Sequence, residues 1–560
     1  MFRSILAHRH RTVAAAIAAV AIAVPSALAL SGAFAASSPS PASIALLRQQ
    51  AAQRLVKLGA GQHMTWPAQA ALQMQATGNR SIPQQSATES PAGPAVSSAP
   101  AAAAPAIASA NVPNVRVNNP AEDTQNPDQT TQSETTIAVA GSNVAVGFND
   151  SQTTGLALTA GSSLTGYAYS TDGGKTFTDG GALQNTPEFV NFGDPWMGSD
   201  RTGTMYFSNL ALDEFNGNLD VAVASSTNGG KTWGTPVPVL RPPVTTFYSA
   251  DKPALAVGPD PTVKNRDNVY VAYDDVSFDA TTGTEFTGLP VASSTDGGKT
   301  WQVNYADKFT VSTSGCSFQQ YTGATPMVDP STGTLYVFAD QLAVNDPNCT
   351  GTAPTTESEW FFKSTDGGQT FAPGVKIADI TAAEANGLLF LGPGRYARTA
   401  DFPSPALFGG AIYVAWNDGG QGSNSHIRIA QSTDGGSTWT TSFVTHGNGD
   451  EVQPSLSADS SGLHLLYYHR NQNNTLDVLL GDSANGTSFS AKRVTSVSFP
   501  GSLTVPQFDP IIAFAYMGDY IANVSSGGHQ YFAWGDNRDV VRDLLYPQGR
   551  ADPDVFFATR

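Results

Sequence analysis

Apolar residues recur along this chain in short runs of three to six, each ended by Gly, Asn, Asp or Pro. Runs of that length, rich in Val, Ile, Tyr and Phe and bounded by turn residues, predict β-strands rather than helices. They come in pairs. The first six pairs are residues 136–139 with 144–148, 195–197 with 204–207, 253–257 with 269–273, 326–328 with 335–338, 403–407 with 412–416, and 454–456 with 463–468. A seventh is 520–524 with 531–534. The second run of most pairs stops at a polar cluster: Asn149-Asp150, Asp274-Asp275, Asp340, Asn417-Asp418, His469-Arg470 and Asp536-Asn537-Arg538. In units one to six a third and a fourth strand follow, around a turn with a recurrent sequence.

That turn first reads Ser170-Thr171-Asp172-Gly173-Gly174-Lys175-Thr176-Phe177. Four further copies are centred on Asn228, Asp296, Asp366 and Asp434, and a worn one runs from Ser483 to Phe489. Counted at the third residue, the spacings are 56, 68, 70, 68 and 51 residues. Repeats at such a period mean an array of similar supersecondary units. Each position has a physical purpose. The Asp accepts backbone N–H groups just after it, Gly-Gly permits positive φ, and the aromatic has area to bury against a neighbouring unit. The pattern resembles the Asp box, or bacterial neuraminidase (BNR) repeat, of secreted sialidase-like β-propellers. In that family the box is a structural turn.

The resemblance implies an all-β fold over residues 112–560, with four-stranded antiparallel blades. Seven pairs predict a seven-bladed β-propeller; six blades, as in catalytic sialidases, is the alternative. Unit seven has a third strand at 554–558 and then ends, so the expected fourth strand comes from residues 114–117 near the start. An N-terminal strand closing the ring leaves no free edge between first and last blades.

The rest of the chain changes this picture at three places. Arg3, Arg9 and Arg11 precede an almost wholly apolar stretch at 13–30 and an Ala33-Phe34-Ala35 site. This is read as a signal peptide, residues 1–35, cleaved near Ala35, so that the mature protein is secreted or at the cell surface with no membrane span. Residues 36–111 are rich in Ala, Pro, Ser and Gln. Apart from helical spacing at 44–58 they are expected to form a disordered linker. The formal charge of −17 excludes nucleic acid as a natural partner. A glycan or an extracellular protein is expected instead, bound by a monomer.

In a propeller the loops leading into strand one and out of strand two share a face, opposite the Asp boxes. Cys316 and Cys349, the two cysteines of the chain, both fall on that face of unit four, which predicts a Cys316–Cys349 disulfide. The same face gathers Glu134, Asp194, Asp251-Lys252, Asp401, Asp450-Glu451 and Asp519-Tyr520 with the polar clusters above. It forms an acidic funnel, the default place for a ligand. Strand-end capping is the competing role for each of these residues.

Sialidase resemblance implies a Tyr nucleophile aided by a carboxylate, an acid/base Asp and three Arg around the substrate carboxylate. The candidates carried over are Tyr520, Asp519, Asp194, Arg470 and Arg538. The family's first-blade Arg motif is absent, since no Arg lies between Arg116 and Arg201. An acidic funnel suits a neutral glycan, a cation or a basic peptide better than a carboxylate. No cofactor is expected. The funnel offers oxygens to Ca2+, but no ligand spacing is specific for it. A divergent exo-glycosidase or carbohydrate-binding propeller leads; a non-catalytic protein-interaction propeller is the alternative.

Overall fold

The computed structural model describes residues 40–58, 60, 64–79, 107–121, 130–152, 162–311, 316–350, 353–382, 388–392, 395–420, 424–446, 449–503, 517–542 and 547–560. The signal segment lies outside them.

The strand pairs form sequential antiparallel meanders. Unit one runs Gln132–Ala140, Asn143–Asp150, Thr165–Ser170 and Thr178–Ala182. Unit four runs Phe318–Val328, Leu335–Val344, Thr355–Ser364 and Val375–Asp379, and units five and six repeat this order. Units two and three are drawn into one sheet by a single parallel pairing, Ser249 with Leu219. In unit seven, Ala522–Ser526, His529–Val541 and Arg550–Thr559 are followed at the outer edge by Val115–Arg116, in register Val115 to Phe557. The inner strands of successive units touch in order, and the inner strand of unit seven touches that of unit one.

Apolar faces between neighbouring sheets make the core. Val144, Val146 and Phe148 of unit one meet Ala533 and Phe557 of unit seven. Leu465 and Tyr467 of unit six meet Tyr413 and Ile429 of unit five. The octapeptide aromatics fill the seams: Phe177 lies 4.9 Å from Phe557, ring centre to ring centre, and Trp439 lies 5.4 Å from Phe361.

The turns behave as their sequence dictates. Asp172 Oδ1 accepts N–H groups from Lys175 and Thr176, both at 3.0 Å, and Oδ2 accepts the Thr176 hydroxyl at 2.7 Å. Gly173 and Gly174 have φ of 79° and 85°. Asp296, Asp366 and Asp434 repeat these bonds. Asn228 keeps the geometry by donating Nδ2–H to the Thr232 hydroxyl at 2.8 Å.

Residues 40–79 depart from the expected disordered linker. Helices at Pro41–Leu58 and Trp66–Thr77 form a hairpin. The first buries Arg48, Ala51, Ala52 and Leu55, an i, i+3, i+4, i+7 stripe on one face. The second buries Ala68, Ala71, Leu72 and Met74. Both join the cluster of Phe192, Leu210, Phe247, Tyr248 and Tyr273 in units two and three. The small Ala side chains let the helices approach closely. The core that makes them stable belongs to strands more than a hundred residues away, so composition alone misjudges them.

Candidate functional site

One backbone irregularity recurs where the chain enters each of several inner strands. Ladder register slips between Ser133 and Thr136, Asp251 and Ala254, Thr322 and Thr325, and Val452 and Ser455. The skipped residues include Glu134 (φ 53°), Lys252 (φ 41°) and Gln453 (φ 52°), and unit four uses Gly323 (φ 65°). Asp194 (φ 53°) and Gly518 (φ 87°) hold the matching places in units two and seven. Non-Gly residues avoid this left-handed region, so its repetition at long polar side chains marks a place where structure is bent to aim them.

They converge on Lys252. Its side chain is buried, and Nζ lies 4.5 Å from the ring centre of Trp196 and 4.8 Å from those of Phe402 and Tyr520. Such a cage holds a cation through the ring faces. Around it stand the buried carboxylates Glu134, Asp194, Asp251, Asp274 and Asp519. Burial lowers Lys252 to about 8, while Glu134, Asp194, Asp251 and Asp274 support its charge. Glu134 accepts the Asp519 N–H at 3.1 Å and an Asn149 amide N–H at 2.9 Å. Arg398 pairs with Asp519 at 3.2 Å. The inner strands enclose a cavity of about 180 Å³, lined by Lys252, Gln453, Asp519 and Tyr520 together with Thr325, Ser404 and Asn523.

Asp194 and Asp251 lie outside the lining of that cavity and form the centre of the carboxylate floor around Lys252. Both hold the hydroxyl of Thr65, and Asp251 Oδ2 also accepts the Thr65 N–H at 2.9 Å. A Thr hydroxyl has one proton to donate. It satisfies one carboxylate, and a proton on the second Asp accounts for the other contact. Burial agrees. It drives Asp194 well above the carboxylate range, with Glu134 and Asp251 adding repulsion, and raises Asp251 to about 6. Asp274 has neither carboxylate oxygen hydrogen-bonded among the described residues and is pushed upward by burial and by Asp251.

Further round the ring, Asp340 and Glu359 face each other in the unit four ladder. Burial raises both, reinforced by Glu357 and Asp401. Among the described residues, no group of three or more His, Cys, Asp or Glu is arranged to hold a metal ion.

Of the candidates read from sequence, Tyr520, Asp519 and Asp194 come together on the floor. Tyr520 donates to the Pro195 carbonyl at 3.0 Å, and its hydroxyl is pushed up by burial and by nearby Glu134. Arg470 and Arg538 are engaged elsewhere. Arg470 pairs with Asp450 and bonds Asn474 at 3.1 Å. Arg538 pairs with Asp536 at 2.5 Å, bonds Ser496 at 2.9 Å and stacks 4.2 Å from Phe556. Each braces its own unit or the adjoining seam. Among the described residues, Arg398 is an arginine that does reach the floor, and its Nη2 also donates to the Met64 carbonyl at 3.1 Å. Cys316 and Cys349 are bonded, with Cα atoms 5.0 Å apart.

No known protein family and no curated protein matches the chain. Solved structures with similarity to it include an α-L-arabinanase of Penicillium chrysogenum complexed with arabinobiose, at 15% identity over 66% of this chain and 97% of that one, TM-score 0.41. A Dyadobacter fermentans protein of unknown function is 16% identical over 68% and 96%, TM-score 0.38. A Trypanosoma rangeli sialidase in complex with the inhibitor DANA is 13% identical over 63% and 54%, TM-score 0.38. At these values the likeness gives no residue a role. No helix of the described residues is long and apolar enough to cross a membrane.

Proposed function

We propose that this chain is an exported, glycan-directed propeller whose floor binds sugar hydroxyls through Asp194 and Asp251, as a divergent exo-glycosidase or a carbohydrate-binding relative. The ring is read as seven blades, with Val115–Arg116 supplying the last outer strand. The observation that carries the reading is the shared grip of two carboxylates on the Thr65 hydroxyl. That hydroxyl, with the adjacent N–H, stands in for the vicinal donors of a sugar. A neutral glycan fits better than an acidic one, because five carboxylates and two cations leave the floor negative. In an enzyme, the protonated member of the pair would give its proton to the glycosidic oxygen, since an acid titrating near neutrality is suited to that step.

A second reading has one observation in its favour: the group held at the floor is a peptide, Met64-Thr65. A protein-interaction propeller would use the same place for an extended segment of a partner.

A glycan array carrying neutral and sialylated structures tests the choice. The full chain and its Thr65→Ala variant are compared with the same proteins carrying Asp194→Asn. Retention of a neutral glycan, strengthened by Thr65→Ala and abolished by Asp194→Asn, is expected. Retention of sialylated structures alone overturns the preference for a neutral glycan, retention of none by the Thr65→Ala chain overturns the glycan reading, and capture of peptides instead favours the second.

A further inference from the structure

We propose that the N-terminal hairpin, residues 40–79, is a built-in occupant of the funnel, and that a ligand reaches Asp194 and Asp251 only after this hairpin withdraws. The inference rests on the floor being the binding site.

Its basis is how the hairpin is joined to the floor. Thr65 is the N-cap of the second helix, and a Thr there ordinarily bonds its hydroxyl to an N–H of its own first turn. Here it makes no such bond. The hydroxyl is committed to Asp194 and Asp251, residues 129 and 186 positions away. The helix thus forgoes its own cap to satisfy the floor. Its N-terminal end, where the helix dipole is positive, faces the acidic pair, and the free Thr65 N–H donates to Asp251. On the other side of Thr65, the Met64 carbonyl accepts from Arg398. Thr65 and Met64 are both fully buried. The floor therefore meets a donor, an acceptor and a hydroxyl in a row, the pattern a sugar edge offers.

The hairpin is seated rather than merely draped. Arg48 donates to the Asn216 carbonyl at 2.8 Å and Asn218 Oδ1 at 2.5 Å, Arg54 reaches Glu285 at 3.0 Å, and Gln75 reaches Asn216 at 3.1 Å. These clamps all lie in units two and three. A scaffold needed only to finish that apolar face would not require a hydroxyl inserted between two carboxylates of the floor. The sequence that follows, 80–106, is dominated by Ala, Pro, Ser and Gln and is without Lys and, after Arg80, without Arg. It offers few apolar residues to hold the hairpin in place once cut.

The test uses the full chain with a specific protease site placed between residues 90 and 100, uncut and cut, each with Thr65 or with Thr65→Ala. The first readout is retention of the labelled hairpin on the cut protein under dilution. The second is binding and turnover of a panel of neutral and sialic nitrophenyl glycosides. Expected are reversible release, a dissociation constant weakened at least tenfold by Thr65→Ala, and glycoside binding that rises at least tenfold on release. A hairpin that is not released, a retention unchanged by Thr65→Ala, or a measurable glycoside affinity that is equal before and after release, overturns the proposal. Release with the expected Thr65 dependence but no binding of any glycoside leaves the occupant in place and refutes the glycan reading instead.

Discussion

The two ends of each unit treat carboxylates in opposite ways. At the octapeptide turns Asp172, Asp296, Asp366 and Asp434 lie near water and accept hydrogen bonds from the third and fourth residues after them. Their donors are local, and these bonds hold all four below the usual carboxylate range, Asp296 and Asp434 at about 2. At the floor Asp194, Asp251 and Asp274 are buried, repel one another and are raised. Asp194 and Asp251 hold the Thr65 hydroxyl, 129 and 186 positions away, and the charge of Lys252 supports the whole group. A carboxylate satisfied by its own loop is a structural device repeated because it is cheap to form. Carboxylates kept out of water and short of donors are retained against stability, which is where a ligand would supply what is missing.

The sharpest way to break this contrast is Lys252→Met. Removing the central cation strands five buried carboxylates, and a loss of about 3–5 kcal/mol is expected from denaturant unfolding. A loss under about 1 kcal/mol would mean that the floor is already neutralised by protons. Next is Thr65→Val, which leaves Asp194 and Asp251 without their shared hydroxyl. Local opening of the hairpin should become easier by about 1–3 kcal/mol in hydrogen exchange, with global stability less affected. Unchanged exchange at 64–79 would show that the hydroxyl contributes nothing to seating.

A smaller effect comes from pH. The folded pKa of Asp251 is raised, to about 6, so its contribution is complete below its unfolded value near 4 and is lost as pH rises through about 6. Glu134, Asp274 and Asp519 oppose the resulting charge, and Lys252 and Arg398 favour it. After correction for intrinsic rate, exchange of the Thr65 amide should quicken by about tenfold between pH 4 and pH 7. Exchange that slows over this range would contradict the assignment. The smallest effect is expected at the other face. Asp296→Ala should lower Tm by no more than about 2 °C, because one of several equivalent turns is loosened at the surface. A fall beyond that would mean the turns carry more of the ring than their local bonds suggest.

How far each region could be read in advance follows from the same contrast. The octapeptide turns, the strand pairs and the Cys316–Cys349 bond rest on residues near one another in sequence or at equivalent places in the repeat, so their positions were legible. Asp194, Asp519 and Tyr520 were singled out because they precede inner strands. Their roles were not legible, since Glu134 and Lys252 owe their importance to a left-handed kink that no residue type announces. Arg470 and Arg538 looked equivalent to floor residues by position, but each meets an acid beside its own strand, Asp450 and Asp536, before it can reach the centre. The hairpin was the largest omission. Ala-rich helices with one apolar stripe read as a spacer until the surface of units two and three is there to cover them.

The central claim is that Asp194 and Asp251 share a proton around a bound hydroxyl. Carboxyl carbon NMR of aspartate-labelled protein, titrated from pH 3 to pH 9, tests it directly. The account predicts that Asp251 titrates at about 6 and Asp194 higher still, while Asp296 loses its proton at about 2 and gives no transition in this range. Both floor carboxylates titrating near 4, as exposed aspartates do, would contradict it.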